Sequence, residues 1–414
     1  MDERRELLKE RPDLICEGVY KRSVDFVKYV MSLDEFKEEK YKHLLTTNIW
    51  NAKREEIVPI LHMEIFEQEE YKHLLTSKIW NHRKQEIEDI LSIPYFKEER
   101  FKGLLTSNIW SSSYLEIKGI LELKEWENPY FKTLLTSNIW QNKLEDVKNI
   151  LDMKEWNNEL FKPLLTSNVW NCNYLEIKGI LELKEWENPV FHNLLTSNIW
   201  HSKLDDVKTI LSMKEWENED FKPLLTSNIW NSTAKNVKDI LELDAWKNYK
   251  FRKTLSPSIW NKSVEEVKTI LSLKEWEDDR YKPLLTPNIW HSSSKTITDL
   301  LKMEVFKKDE YKHLLTPSIF NISIKNIIPS IELFEEYDIG PYITNRCLRR
   351  RADYQRALIE YLKSEGISLL VPQSDELYTL NPILNASNTE LKNKYGIDIK
   401  ELVEKRNKRK WMIY

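Results

Sequence analysis

A thirty-residue unit repeats through most of this chain almost without slippage, and two copies read FKTLLTSNIWQNKLEDVKNILDMKEWNNEL from Phe131 and FKPLLTSNIWNSTAKNVKDILELDAWKNYK from Phe221. An aromatic opens each copy at Tyr41, Tyr71, Phe101, Phe131, Phe161, Phe191, Phe221, Phe251, Tyr281 and Tyr311, and a weaker copy from Arg11 keeps the apolar frame at Leu14, Ile15, Val19, Tyr20, Val27 and Leu33. About eleven units therefore fill residues 11–340. Thirty residues are fewer than the roughly 40 that can usually hold a core alone, so each unit must bury its apolar face on its neighbours. The expected fold is all-α: a right-handed or curved α-solenoid of helix-turn-helix repeats over 11–340. Residues 1–10 are expected to form an N-terminal cap, and residues 341–414 a small helical capping domain with a basic tail.

Local signals outline one unit. Asn128 before Pro129 offers a side-chain acceptor and then a residue with helical φ and no orphan amide, so a first helix should open there and carry Phe131, Leu134 and Leu135 inward. Pro257, Pro287 and Pro317 favour ending that helix, with a one-turn 3₁₀ segment through the NIW or SIW triplet. Ser113 with Glu116, and Ser263 with Glu266, have capping-box spacing at the start of a second helix, whose buried stripe follows at Ile117, Ile120, Leu121 and Leu123. Tryptophans recur just before this helix (Trp110 to Trp290 in steps of thirty) and just after it (Trp126 to Trp276). Recurrence at framework positions points to core between repeats rather than to base stacking.

Composition narrows the class. Only 7 glycines, 16 tryptophans and 31% well-mixed charged residues suit an all-helical protein with short connections. Cys16, Cys172 and Cys347 are odd in number and scattered, which supports neither a disulfide framework nor a metal site. The opening MDERRELLKERPDL has no apolar signal core and no apolar run approaches 18 residues, so a cytoplasmic monomer with no membrane partner is expected. No HExxH, CxxC, GxSxG or glycine-rich phosphate loop occurs, and neither catalytic residues nor a cofactor are expected.

Net charge is −4, yet residues 341–414 carry 14 Lys and Arg against 9 Asp and Glu. Two lines of cations run along the array. One lies beside the leading aromatic, from Lys42 to Lys312 with Arg252 and His192 among its members. The other, inside the second helix, is Lys118, Lys148, Lys178, Lys208, Lys238 and Lys268. Helices stacked roughly 10 Å apart would turn each into a line able to follow a phosphate backbone. The alternative is that these lysines solvate the surface and pair with nearby glutamates.

A further clue comes from copies within the chain. The units at Phe101 and Phe161 share YLEIKGILELKEWENP, yet the three residues after the tryptophan differ, Ser111-Ser112-Ser113 against Asn171-Cys172-Asn173. Elsewhere this trio opens with Asn51, Asn81, Gln141, His201, Asn231, Asn261 and His291. Hydrogen-bonding side chains at a helix N-terminus can meet phosphate through free amides and base edges through their own polar atoms; drift among good capping residues is the other reading. At the C-terminal end, Arg349, Arg350, Arg351 and Lys405 to Lys410 are further candidates for phosphate contact.

With a helix, a proline-initiated turn such as LLTPNIW at 284–290, and helix ends of the LEL and LKSEGI kind, the chain resembles the mitochondrial transcription termination factor family over roughly residues 11–370. The resemblance implies a curved α-solenoid that binds double-stranded DNA, or RNA in some members, along a positively charged concave face. It carries over a surface and no single residue; this chain is more acidic and its units are more alike. The expected activity is nucleic-acid binding, DNA or RNA, with lysine ladders on the backbone and trio residues on the bases. A protein-binding scaffold is the alternative.

Overall fold

A computed structural model describes residues 2–374 and 377–411, and in it the chain falls into two compact units, Met1–Ser212 and Met213–Tyr414. Both are built of short α and 3₁₀ helices, and the one strand ladder among the described residues is an antiparallel pair, Leu370–Pro372 with Tyr378–Leu380.

In the first unit, the repeat around Phe101 shows how the sequence is used. One α-turn, Glu99–Lys102, buries Phe101, and Thr106 then extends the chain (φ −129°, ψ 168°) before the 3₁₀ turn Ser107–Ser111. The α-helix Tyr114–Leu121 follows, with Ser113 and Glu116 forming the expected reciprocal capping box. Ile117, Ile120 and Leu121 are buried, Leu123 half-buried, and a further 3₁₀ turn, Lys124–Glu127, seats Trp126.

The expected helix-turn-helix unit is thus corrected: the α-helix after the tryptophan runs two turns in Tyr114–Leu121 and its like but is shorter at Ile57–Leu61, while the leading helix shrinks to a segment of three to six residues. The leading segment is α in Glu39–Lys42 and Glu99–Lys102 but 3₁₀ in Pro129–Leu134 and Lys162–Leu164. Asn128 does cap it, accepting from Tyr130 N at 3.0 Å. Length is the reason: few residues separate the opening aromatic from the extended threonine, and Pro163 removes a donor from this stretch.

Tryptophan supplies the adhesive. The indole N–H of Trp140 donates to Leu104 O at 2.7 Å, thirty-six residues back, and Trp110, Trp170 and Trp200 repeat that bond to Leu74, Leu134 and Leu164. Trp126 and Trp156 instead turn back on their own repeat and satisfy Ile120 O and Ile150 O near the helix C-terminus, both at 2.6 Å. All are buried, so these aromatics are core.

The second unit keeps the same pattern at its start. Trp260 donates to Leu224 O and Trp290 to Thr254 O, and Pro257, Pro287 and Pro317 each open a 3₁₀ turn as expected. The pattern ends at the longer helix Ile324–Glu336, and the arginines are followed by the helix Ala352–Ser364, packed against Ile399–Trp411. The small strand ladder between them is an element the all-helical expectation omitted.

Candidate nucleic-acid interface

The trio after the tryptophan resolves into three different jobs. Its first residue, Asn51, Asn81, Ser111, Gln141, Asn171, His201, Asn231, Asn261 or His291, is exposed in every copy. Three neighbouring pairs touch: Asn51 Nδ2 donates to Asn81 Oδ1 at 2.8 Å, Asn171 Nδ2 lies 3.5 Å from His201 Nε2, and in the second unit Asn231 Nδ2 donates to Asn261 Oδ1 at 3.3 Å. These contacts join three neighbouring pairs, and the first trio residues supply one exposed polar side chain per repeat.

The second trio residue turns inward. Ser112 (4% exposed) donates to Trp140 O at 2.7 Å, Asn142 to Trp170 O at 2.9 Å, and Cys172 (5% exposed) to Trp200 O at 3.0 Å. His82 Nε2 lies 2.9 Å from Trp110 O, and Ser292 in the second unit donates to Phe320 O at 3.0 Å. Serine, asparagine, histidine and cysteine thus serve one purpose, a donor for the carbonyl at the next repeat's aromatic. Burial pushes the Cys172 thiol up to about 12, so it keeps the proton it donates.

The third residue faces solvent and caps where it can. Ser113, Asn173, Thr233, Ser263 and Ser293 accept from the N3 amide of the helix they precede. Lys53, Arg83, Lys143 and Lys203 do not cap; they are exposed, with no carboxylate within 4 Å among the described residues.

Free helix-terminal amides, expected as phosphate donors, are taken in several repeats. Lys84 N donates to Glu56 at 3.2 Å and Tyr114 N to Glu86 at 3.3 Å; in the second unit Val264 N donates to Asn236 at 2.8 Å and Ser294 N to Glu266 at 3.0 Å. Each acceptor comes from the preceding repeat. Glu266, expected to close a capping box with Ser263, makes this inter-repeat bond and pairs with Lys262 at 3.3 Å.

The lysine ladders are largely neutralised. Lys118, Lys178 and Lys238 lie 3.9, 4.0 and 3.8 Å from the carboxylates one turn on, at Glu122, Glu182 and Glu242, and Lys268 lies 3.0 Å from Glu265. Lys148 and Lys208 have no carboxylate within 4 Å among the described residues. In the other ladder Lys42 and Lys102 pair with Glu39 and Glu99 at 2.6 and 2.7 Å, Lys162, Lys222 and Lys282 pair likewise with the acid three residues before, and Arg252 pairs with Asp220 at 2.9 Å. Exposed pairs of this kind contribute little to stability, because water and salt screen them. Their larger effect is to cancel the field that a phosphate backbone would meet.

The C-terminal cations divide. Arg350 is tied internally rather than exposed: it donates to Asn388 and Gln355 at 3.2 Å, to Leu384 O at 3.4 Å and to Ala386 O, and desolvation holds its guanidinium below the usual arginine range. Arg351 pairs with Asp353 at 2.9 Å, Lys405 with Glu401 at 3.2 Å and Arg406 with Glu360 at 2.9 Å, whereas Arg349 is exposed. The side chains of Arg409 and Lys410 lie outside the described residues.

Sequence reasoning missed the inter-repeat ion pairs Lys40–Glu67, Arg100–Glu127 and Lys250–Glu277, at 3.5, 2.9 and 2.5 Å. Opposite charges recurring 27 residues apart were the available signal. Among the described residues no helix is long and apolar enough to cross a membrane. No protein-family model, curated protein or solved structure matches the chain.

Proposed function

We propose that the repeats stack as an α-solenoid and that the protein binds single-stranded nucleic acid along the row of first trio residues, one nucleotide to a repeat. The observation that carries this reading is the contact within three neighbouring pairs, such as Asn51 with Asn81 at 2.8 Å, which would present variable side chains to an extended polymer in register. Asn, Gln, His and Ser carry the donors and acceptors that pair with base edges, and modular helical repeats can read one base each. A single strand is favoured over a duplex because gripping a duplex needs uncompensated cations, and the ladders face carboxylates. Lys53, Arg83, Lys143 and Lys203 supply the modest charge that remains beside the row.

Selection of bound sequences from a randomised single-stranded pool, followed by Gln141→His, tests the reading. Preference should change at one nucleotide position only, and the slope of log affinity against log salt should be shallow, on the order of −2 to −3 for three or four phosphate contacts. Unaltered preference, or no binding of the pool, refutes it.

One observation favours the protein-scaffold reading. A groove recurs at equivalent repeat positions, about 520 Å³ beside Asn128, Phe131 and Trp156, and about 460 Å³ beside Asn218, Phe221 and Trp246, and Tyr130 on the rim of the first is 62% exposed. On that reading, affinity for an extended peptide would be nearly insensitive to salt.

A further inference from the structure

In the second unit, a cavity of about 300 Å³ is lined by Arg346, Arg349, Arg350, Asn385, Ser387 and Asn388, with Ala386 between them. Three arginines line it, and no carboxylate does. Several arginines of this chain face an acid: Arg100 has Glu98 and Glu127, Arg280 has Asp309, Arg356 has Glu336. None of the three cavity arginines has a carboxylate within 4 Å among the described residues.

Arg350 makes the absence of a counter-charge costly. Its side chain is largely withdrawn from water, held by carbonyl and amide oxygens that carry dipoles but no charge. A cation so placed is stabilised by any anion that enters the cavity beside it. Its four hydrogen bonds leave one of its five N–H groups unused.

The rest of the wall has the same polarity. Arg346 and Arg349 are exposed at the rim, free to close on a ligand in the planar fork that suits phosphate oxygens. Ser387 is the N-cap of the eight-residue helix Asn388–Tyr395, so the positive end of that helix adjoins the cavity. Glu390, in the first turn of that helix, has its carboxylate engaged by Ser387 N at 2.6 Å; that bond and nearby Arg346 hold it below the usual carboxylate range. It is thereby committed to the capping box.

We propose that this cavity binds a terminal phosphate monoester, with Arg346 and Arg349 clamping its oxygens, Arg350 supplying charge from the floor and Asn388 bonding the ester side. A dianion matches the excess of positive charge better than the single charge of a backbone diester. The volume lies at the lower end of ligand pockets and leaves room for the sugar that carries the phosphate. The site does not depend on the first trio residues or on base reading.

Calorimetric titration of the full chain with ribose 5-phosphate tests the proposal. Saturable binding is expected, weakened at least tenfold by Arg349→Gln and by Arg346→Gln. Arg351→Gln, which removes a neighbouring arginine that already faces Asp353 and does not line the cavity, should change affinity less than twofold. A 5′-phosphorylated oligonucleotide preferred over its 5′-hydroxyl form would identify a nucleic-acid end as the source; ribose 5-phosphate bound with no such preference would identify a small sugar phosphate. Absence of saturable binding at 10-millimolar order, or equal losses in all three variants, overturns the proposal.

Discussion

Replacing Ser112 by alanine isolates the inward strut from the exposed row. Ser112 Oγ donates to Trp140 O at 2.7 Å in a site where the serine is 4% and the tryptophan 1% exposed. Removing the donor leaves a buried carbonyl with one partner fewer, at a cost of about 1–3 kcal/mol; loss of the hydroxyl's own desolvation places the net near 1–2 kcal/mol. Ser112→Cys should cost less, because Cys172 fills the equivalent position with its S–H 3.0 Å from Trp200 O. Ser111→Ala, one residue away but exposed, should cost little. Repeat arrays open locally, so the assay is native-state hydrogen exchange of the helices Tyr114–Leu121 and Leu144–Leu151 rather than a global midpoint. At about 1.4 kcal/mol per tenfold, Ser112→Ala should speed exchange there roughly 5- to 30-fold, Ser112→Cys less than about 5-fold and Ser111→Ala less than about 2-fold. If the two alanine variants behave alike, the assignment of the middle position to packing is wrong.

Packing between adjacent helices makes a second prediction. A methyl at Gly119 would lie 2.4 Å from Leu144 Cδ2, so Gly119→Ala should destabilise the first unit by roughly 1 kcal/mol, its overpacking outweighing the gain in helix propensity. Leu144→Ala in the same chain should relieve the clash; urea unfolding that showed no coupling between the two substitutions would dismiss it. Acid provides a third. Tyr311 Oη donates to Glu335 at 2.7 Å and, with Lys308 nearby, holds that carboxyl below its usual range. A depressed folded value means the contribution is complete above the unfolded value, about 4.3, and disappears as pH falls through the folded one. Tyr311→Phe should therefore flatten the loss of second-unit stability between about pH 5 and 3, read by circular dichroism at stepped pH; an unchanged slope would count against the bond.

Features whose cause lies within one helical turn were legible from residue order. Ser113 and Glu116 form their box, Ile117, Ile120 and Leu121 face inward, and proline opens the turns at 257, 287 and 317. The burial of the tryptophans followed from their period. Whether a ladder lysine is free was only half visible: Glu122 stands four residues after Lys118, but their 3.9 Å separation depends on the rotamers the two side chains adopt.

Residue order by itself determined the period, the apolar stripe and the need for repeats to share a core. Tertiary structure alone decided which member of each trio is seen by solvent. His82, Ser112, Asn142 and Cys172 have no side-chain type in common, so their shared task is invisible until the next repeat brings a tryptophan carbonyl within 3.0 Å of each. The same holds for Arg350, whose charge reads as available in a run of three arginines but is drawn inward by oxygens of residues 384–388. In both cases the partner lies about thirty residues or more along the chain, and a hydrogen bond that spans such a distance is set by how elements stack, which no local pattern encodes.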